Sequence, residues 1–272
     1  MKSIIVPVDF SEQSEYALKA AAKLAKANDA ELFVLHMLEL SPSLMSESGF
    51  VAQEQVVHLI KIGEERFSEF LDKPYLKGLK VVPIIKHYKV FQELDEVAQK
   101  HGADLIVMGS HGTDGLQEIF IGSNTERVVR TSTVPVLGIK GDIEKFTVDQ
   151  FVFACDFKEE NIKSLKRALE IADMLDVKLH LVYINTPDDF LSTEDANHRI
   201  SKFLNLAQLG MEVEIYNDYT VEKGILNYSE TMGADLIGIP THGRRGLTHF
   251  FMGSIGEDVA NHSNIPVVTF KI

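Results

Sequence analysis

The sequence predicts an open α/β fold built twice: two tandem, doubly wound, five-stranded parallel sheets with helices on both faces. Three observations carry this expectation. The chain repeats itself, its strand segments are apolar on both sides, and a helical pattern separates successive strands, as in a parallel sheet covered on both faces.

Shifting the chain by 131 residues lays residues 102–136 on 233–267, and 17 of those 35 positions are identical. The N-terminal parts repeat at an offset of 147, with IIVPVDFSEQSEYALKAA over FVFACDFKEENIKSLKRA and ELFVLHM over KLHLVYI. The offsets differ by 16, so the first copy carries that many extra residues between Met37 and Lys80. Units this long are whole domains, since solenoid repeats run about 20–50 residues. A chain of 272 residues also suggests about two domains. The reading is a first domain over 1–141 and a second over 149–272.

Each copy opens on a short β-branched or aromatic run, Ser3–Val8 or Phe151–Cys155, followed by Asp-Phe and a helical pattern. Ser11 is placed to cap the first helix, whose stripe is Ala17, Leu18, Ala21, Leu24 and Ala25. Leu165, Ala168, Leu169, Ala172 and Leu175 form the matching stripe. Second strands follow at Leu32–Met37 and Leu179–Ile184, then third strands at Lys80–Ile85 and Glu212–Tyr216. Helices ending at Gly102 and Gly233 lead into fourth strands at Asp104–Gly109 and Asp235–Ile239. A Gly-punctuated loop, a last helix and a terminal strand (Pro135–Ile139; Pro266–Phe270) close each unit.

Composition narrows the function. Forty acidic against 27 basic residues give a formal charge of −13, which argues against neutralising nucleic-acid phosphates or docking on anionic lipid. No apolar run reaches the length of a membrane helix, and the N-terminus does not read as a secretory signal. A single cysteine, Cys155, fits a reducing compartment, and the expectation is a cytoplasmic protein.

Open sheets of this kind bind ligands beyond the carboxyl ends of their strands, where Asp9 and Gly109 fall. Gly109 and Gly112 remove side chains where the backbone turns and could approach a ligand, and Gly122 and Ser123 open the last helix, whose N–H groups attract anions. The same glycines could serve turn geometry alone, and no Walker A lysine follows them. His111 and His242 match across the copies without a nucleophile beside them and read as loop-orienting residues. The histidines show no metal-ligand spacing, and Cys155 reads as a packed core thiol. Segment 40–78 reads either as a loop feeding a sheet-covering helix or as a lid over the first site.

The run Val6-Pro7-Val8-Asp9-Phe10-Ser11, the run Met108-Gly109-Ser110-His111-Gly112, and Gly122-Ser123 together resemble the universal stress protein family. The spacing Gly-x2-Gly-x9-Gly-Ser is that family's ATP-binding signature, and the resemblance covers essentially the whole chain, once per copy. It implies a Rossmann-like, adenine-nucleotide-binding fold. Pro7 and Asp9 would border the nucleoside, Met37, after His36, would contact adenine, and Met108 and Gly109 would lie along the ribose and phosphates. Gly112, Gly122, Ser123 and Asn124 would wrap the phosphates with backbone N–H groups, although the family usually has Val or Thr at the last of these.

The second copy keeps Asp156, Gly243, Gly253 and Ser254 at matching positions, and Arg244 and Arg245 suit an anion. It departs at Pro240 for the first glycine, Ala154 for Pro7 and Lys158 for Ser11. The resemblance therefore implies an ATP-binding regulatory protein of the stress response, with or without Mg²⁺, holding nucleotide mainly in the first domain. Thr113 and Asp114 stand where the arginines do in the second copy, which favours binding over fast phosphoryl transfer. A slow ATPase and a scaffold acting through unknown protein partners are the alternatives. The family also implies that the halves pair through their last strands, Val134–Ile139 beside Ile265–Phe270, as an intramolecular pseudo-twofold dimer. A homodimer of chains would be a further step.

Overall fold

The structure is a computed structural model that describes residues 1–38, 50–87, 92–109, 123–141, 147–241, 259–260 and 262–272. The first copy supplies strands β1 (Ser3–Val8), β2 (Glu31–Leu38), β3 (Lys80–His87), β4 (Leu105–Gly109) and β5 (Val136–Ile139). Its helices are α1 (Glu12–Asn28), α2 (Phe50–Leu71), α3 (Gln92–Lys100) and α4 (Ser123–Thr131). The second copy supplies β6 (Gln150–Ala154), β7 (Lys178–Asn185), β8 (Val213–Asn217), β9 (Leu236–Thr241) and β10 (Val267–Lys271). Its helices are α5 (Ile162–Leu175), α6 (Thr193–Ala207) and α7 (Val221–Met232).

The described elements follow the anticipated order, with strand ends shifted by a residue or two, and the expected last helix of the second copy falls largely outside the described residues. The two parallel sheets are joined edge to edge, in the order β3-β2-β1-β4-β5-β10-β9-β6-β7-β8. Each half is parallel, and β5 meets β10 antiparallel with Val136 opposite Thr269 and Gly138 opposite Val267. Two edges that would otherwise expose unpaired backbone groups thus cover one another. Lys271 completes the seam by donating from Nζ to the Thr131 carbonyl at the end of α4 (2.9 Å).

Local chemistry explains the repeated helix ends. Ser11 caps α1 by accepting from the Ser14 N–H at 3.2 Å. Asp29 and Asp176 close α1 and α5 in the left-handed region, φ 49° and 55°, at equivalent positions. Gly102 and Gly233 make the turns into β4 and β9 at φ 59° and 60°, where a Cβ would be strained.

The core is arranged asymmetrically about the sheet. On one face, α1 and α5 meet across the seam, and a single cluster runs through Ile4, Val6, Leu18, Val107, Leu137, Phe151, Phe153, Leu165 and Phe270. On the other face the halves keep separate clusters, one with Ile5, Leu35, Val97, Met108 and Val128, the other with Val152, Val182, Ile225, Ile237 and Val259. Arg167 of α5 ties the shared face together, donating to the Asp104 carbonyl at 3.0 Å. The Asp104 carboxylate accepts from the N–H groups of Lys2 and Ser3, as Asp235 does from Asp149 and Gln150.

Helix α2 belongs to the sheet-covering layer, with Gly63 and Phe67 buried. Leu59 and Ile62 lie on its exposed side. Residues 40–49 of the segment read as loop or lid lie outside the described residues. Among the described residues no helix is long and apolar enough to cross a membrane.

Candidate functional site

Strand order reverses between β1 and β4, whose neighbours β2 and β5 lie to opposite sides. Chains leaving β1 and β4 at that point diverge and open a crevice beyond their carboxyl ends. Pro7, Asp9, Met37, Met108 and Gly109 all lie at this end of the first half. Met37 and Met108 join the cluster beneath α3 and α4, and strand alternation puts Pro7, two residues from Ile5, on the same face. Pro7, Met37 and Met108 thus share one face of the sheet at this end.

Helix α4 begins at Ser123, with Asn124 in its first turn, and its start is anchored to the crevice. The buried Thr125 hydroxyl donates to the Gly109 carbonyl at 3.0 Å. That bond holds the positive end of the helix dipole near the tip of β4, where it favours an anion. Thr125 was not singled out from sequence, and its signal is its place just beyond the Gly-Ser pair. Gly112 and Gly122 lie outside the described residues, as do Gly243, Gly253, Ser254, His111, His242, Thr113, Asp114, Arg244 and Arg245.

Gly109 has a packing duty. A Cβ there would stand 2.4 Å from the Gln13 carbonyl oxygen and 3.0 Å from the Ser14 nitrogen, so the first turn of α1 lies directly on it. Asp9 is exposed beside that turn, and its Oδ1 accepts from the Ser11 N–H at 3.0 Å and from the Ser11 hydroxyl.

The next residue is held in the left-handed region in both copies, Phe10 at φ 67° and Phe157 at φ 52°. Such backbone costs about 1–3 kcal/mol and persists where the surroundings over-determine it. Here the surroundings are aromatic. Phe10 lies 4.1 Å from the His36 ring and 5.4 Å from Phe70, with the Arg66 guanidinium 4.9 Å from its centroid. Phe157 meets Phe203 at 5.2 Å and Tyr183 at 6.4 Å, with Arg199 over Tyr183. The Asp-Phe pair shared by both copies was the available signal, although sequence alone does not reveal its backbone.

His36 is buried, and its Nδ1 donates to the Val8 carbonyl at 2.9 Å. Burial, reinforced by Arg66, holds its pKa below the ordinary value against the opposing pull of Val8 and Asp9. Burial pushes the Cys155 thiol far up, consistent with a packed, protonated thiol. A third desolvated group, Lys140, is pushed down to about 8 by burial. It lines an apolar cleft at the seam with Thr125, Val129, Val136, Ile265 and Val267.

In the second copy Asp156 stands after β6 as Asp9 stands after β1, and Pro240 lies in β9 opposite Phe270. Ala154 is buried where Pro7 is half-buried.

The fold and its strand-end crevices define a tandem open α/β protein whose halves are fused through their last strands. The chain belongs to the universal stress protein family, whose family model matches residues 1–140 and again 147–271. Over its whole length it is similar to universal stress protein Slr1230 of Synechocystis, 23% identical over 290 residues with 100% of both chains covered. Half of it is similar to universal stress protein MJ0531 of Methanocaldococcus jannaschii, 34% identical over 142 residues, covering 51% of this chain and 82% of the relative. A crystal structure of a universal stress protein from Archaeoglobus fulgidus shares the fold at a TM-score of 0.74 and 24% identity, covering 99% of this chain and 98% of that one.

Proposed function

We propose that the protein is a regulatory nucleotide-binding module whose first copy, residues 1–141, holds an adenine nucleotide, ATP with or without Mg²⁺. The observation that carries this reading is the anchoring of α4 to β4 through Thr125 and Gly109, which sets a helix N-terminus at the strand end where Pro7, Met37 and Met108 share a face and Asp9 follows β1. Asp9 would accept from the ribose, and the two methionines would line the adenine. Gly112, Gly122, Ser123 and Asn124 supply the phosphate-binding spacing. In the second copy, residues 149–272, Asp156, Gly243, Gly253 and Ser254 are the corresponding set. The protein would act in the cytoplasm through protein partners, with self-association of whole chains as one route.

The test is calorimetric titration of nucleotide-stripped protein with Mg·ATP. Binding that a Gly112→Val variant abolishes supports the reading. No heat up to about 1 mM, a binding free energy weaker than about −4 kcal/mol, overturns it and leaves the scaffold. Phosphate release above background under the same conditions would instead mark a slow ATPase.

A further inference from the structure

Pro240 stands in the second copy at the strand end that matches Gly109. The first turn of α1 occupies space that only a glycine at 109 leaves open, with the Gln13 carbonyl 2.4 Å from where a Cβ would stand. Pro240 brings both a Cβ and a ring to the matching strand end. The helix that follows β6 also opens differently from α1. Residues Glu159–Asn161 form a 3-10 turn, and α5 begins only at Ile162, whereas α1 begins at Glu12, the counterpart of Glu159.

This turn brings its polar groups onto Asp156. Lys158, which replaces the capping Ser11, makes no side-chain cap bond. Its backbone N–H donates to Asp156 Oδ1 at 3.1 Å, and its ammonium lies 2.7 Å from Oδ2. Asn161 donates from Nδ2 to Oδ1 at 2.6 Å. Asn161 is the counterpart of Ser14, and its own Oδ1 is buried without a partner. The Asp156 side chain is left 13% exposed. Ser11 donates its hydroxyl to Asp9 in the first copy, and Lys158, which replaces it, sets a cation against Asp156 in the second.

We propose that Lys158 is the built-in occupant of the second copy's carboxylate, standing where a ligand's hydroxyl or amine would donate, and that it confines nucleotide to the first copy. The inference rests on the nucleotide reading of the first crevice. A carboxylate offers about four lone-pair sites, of which the chain itself fills three here. The ion pair is charge-assisted, and Lys158 is tethered two residues away, so its effective concentration exceeds that of a free ligand. A ribose hydroxyl would have to displace an ammonium rather than water.

The experiment is the stoichiometry of Mg·ATP binding in wild type, Lys158→Ser, Lys158→Met and Pro240→Gly, each stripped of nucleotide. Lys158 is half exposed, so its exchange should leave the fold intact, and two replacements guard against an idiosyncratic one. The expected result is one nucleotide per chain in wild type and two in both Lys158 variants. Two sites in wild type overturn the inference while leaving the nucleotide reading intact. A second site that appears only when Pro240 is replaced, or in none of the variants, also overturns it. No site in wild type overturns the nucleotide reading, and the inference falls with it.

Discussion

The two halves solve one packing problem with opposite allocations of volume. In the first, β1 contributes Ile4 and Val6 to the shared core and β4 contributes Val107. At the equivalent positions of the second half stand Phe151 and Phe153 on β6 and Gly238 on β9. A Cβ on Gly238 would lie 2.7 Å from the Phe151 ring and 3.0 Å from that of Phe153, so those rings occupy the space that Val107 fills on the other side. Two large residues and a glycine replace three of middle size. Duplicated domains can therefore diverge deeply at the seam while the sheet passes through unchanged, provided the substitutions compensate within one layer.

The strongest way to break that comparison is to import one half's choice without its complement. Gly238→Val should drive a branched side chain into both phenyl rings and cost about 3 kcal/mol or more. Adding Phe151→Ile and Phe153→Val should recover most of the loss. Urea melts of the single and triple variants measure both. A triple variant no more stable than the single one would mean that the halves do not exchange volume in this way.

A smaller effect sharpens the comparison at the crevices. Gly109→Ala places a methyl group against backbone, the Gln13 carbonyl, which cannot rotate away as a side chain can. The expected cost is about 2 kcal/mol. Pro240→Gly removes atoms instead of adding them and should cost less than half as much. Thermal melting of the two variants side by side checks the asymmetry. Equal costs would mean that α1 can rewind as readily as the chain at Glu159–Asn161 has done.

Much of this architecture was legible in the sequence because local rules dictate it. The alternation of apolar strands with helical stripes, the Ser11 cap and the turns at Gly102 and Gly233 all depend on neighbours within a few residues, and the repeat shows the same local rules applied twice. The edge-to-edge fusion of β5 with β10 came from the family resemblance, since nothing in either strand encodes which edge it meets. Gly109 was read for its approach to a ligand, and the carbonyl of Gln13 lying on it is a contact across almost the whole first copy. The pairing of Lys158 was hidden further, because an exposed lysine after Asp-Phe acquires meaning only once the 3-10 turn at Glu159–Asn161 sets its ammonium beside Asp156.

The mildest contrast lies beneath the strained phenylalanines, where the first copy has His36 and the second has Tyr183. The folded state resists protonation of His36, because burial and Arg66 lower its pKa. The unfolded chain takes up a proton there near pH 6.5. Below that point the unfolded state binds more protons than the folded one, so the contribution of His36 to stability is complete above about pH 6.5 and is lost as pH falls through the folded-state value. His180 of the second copy, also lowered by burial, adds a like-signed slope. His36→Tyr installs the second copy's residue and removes one of these two proton sites. The fall in melting temperature between about pH 7.5 and 5.5 should therefore shrink without vanishing, and His180→Phe, which installs the first copy's residue, should shrink it independently. An unaltered fall in the His36 variant would mean that the imidazole can be protonated in place, with the strained Phe10 and its aromatic neighbours opening to water at little cost.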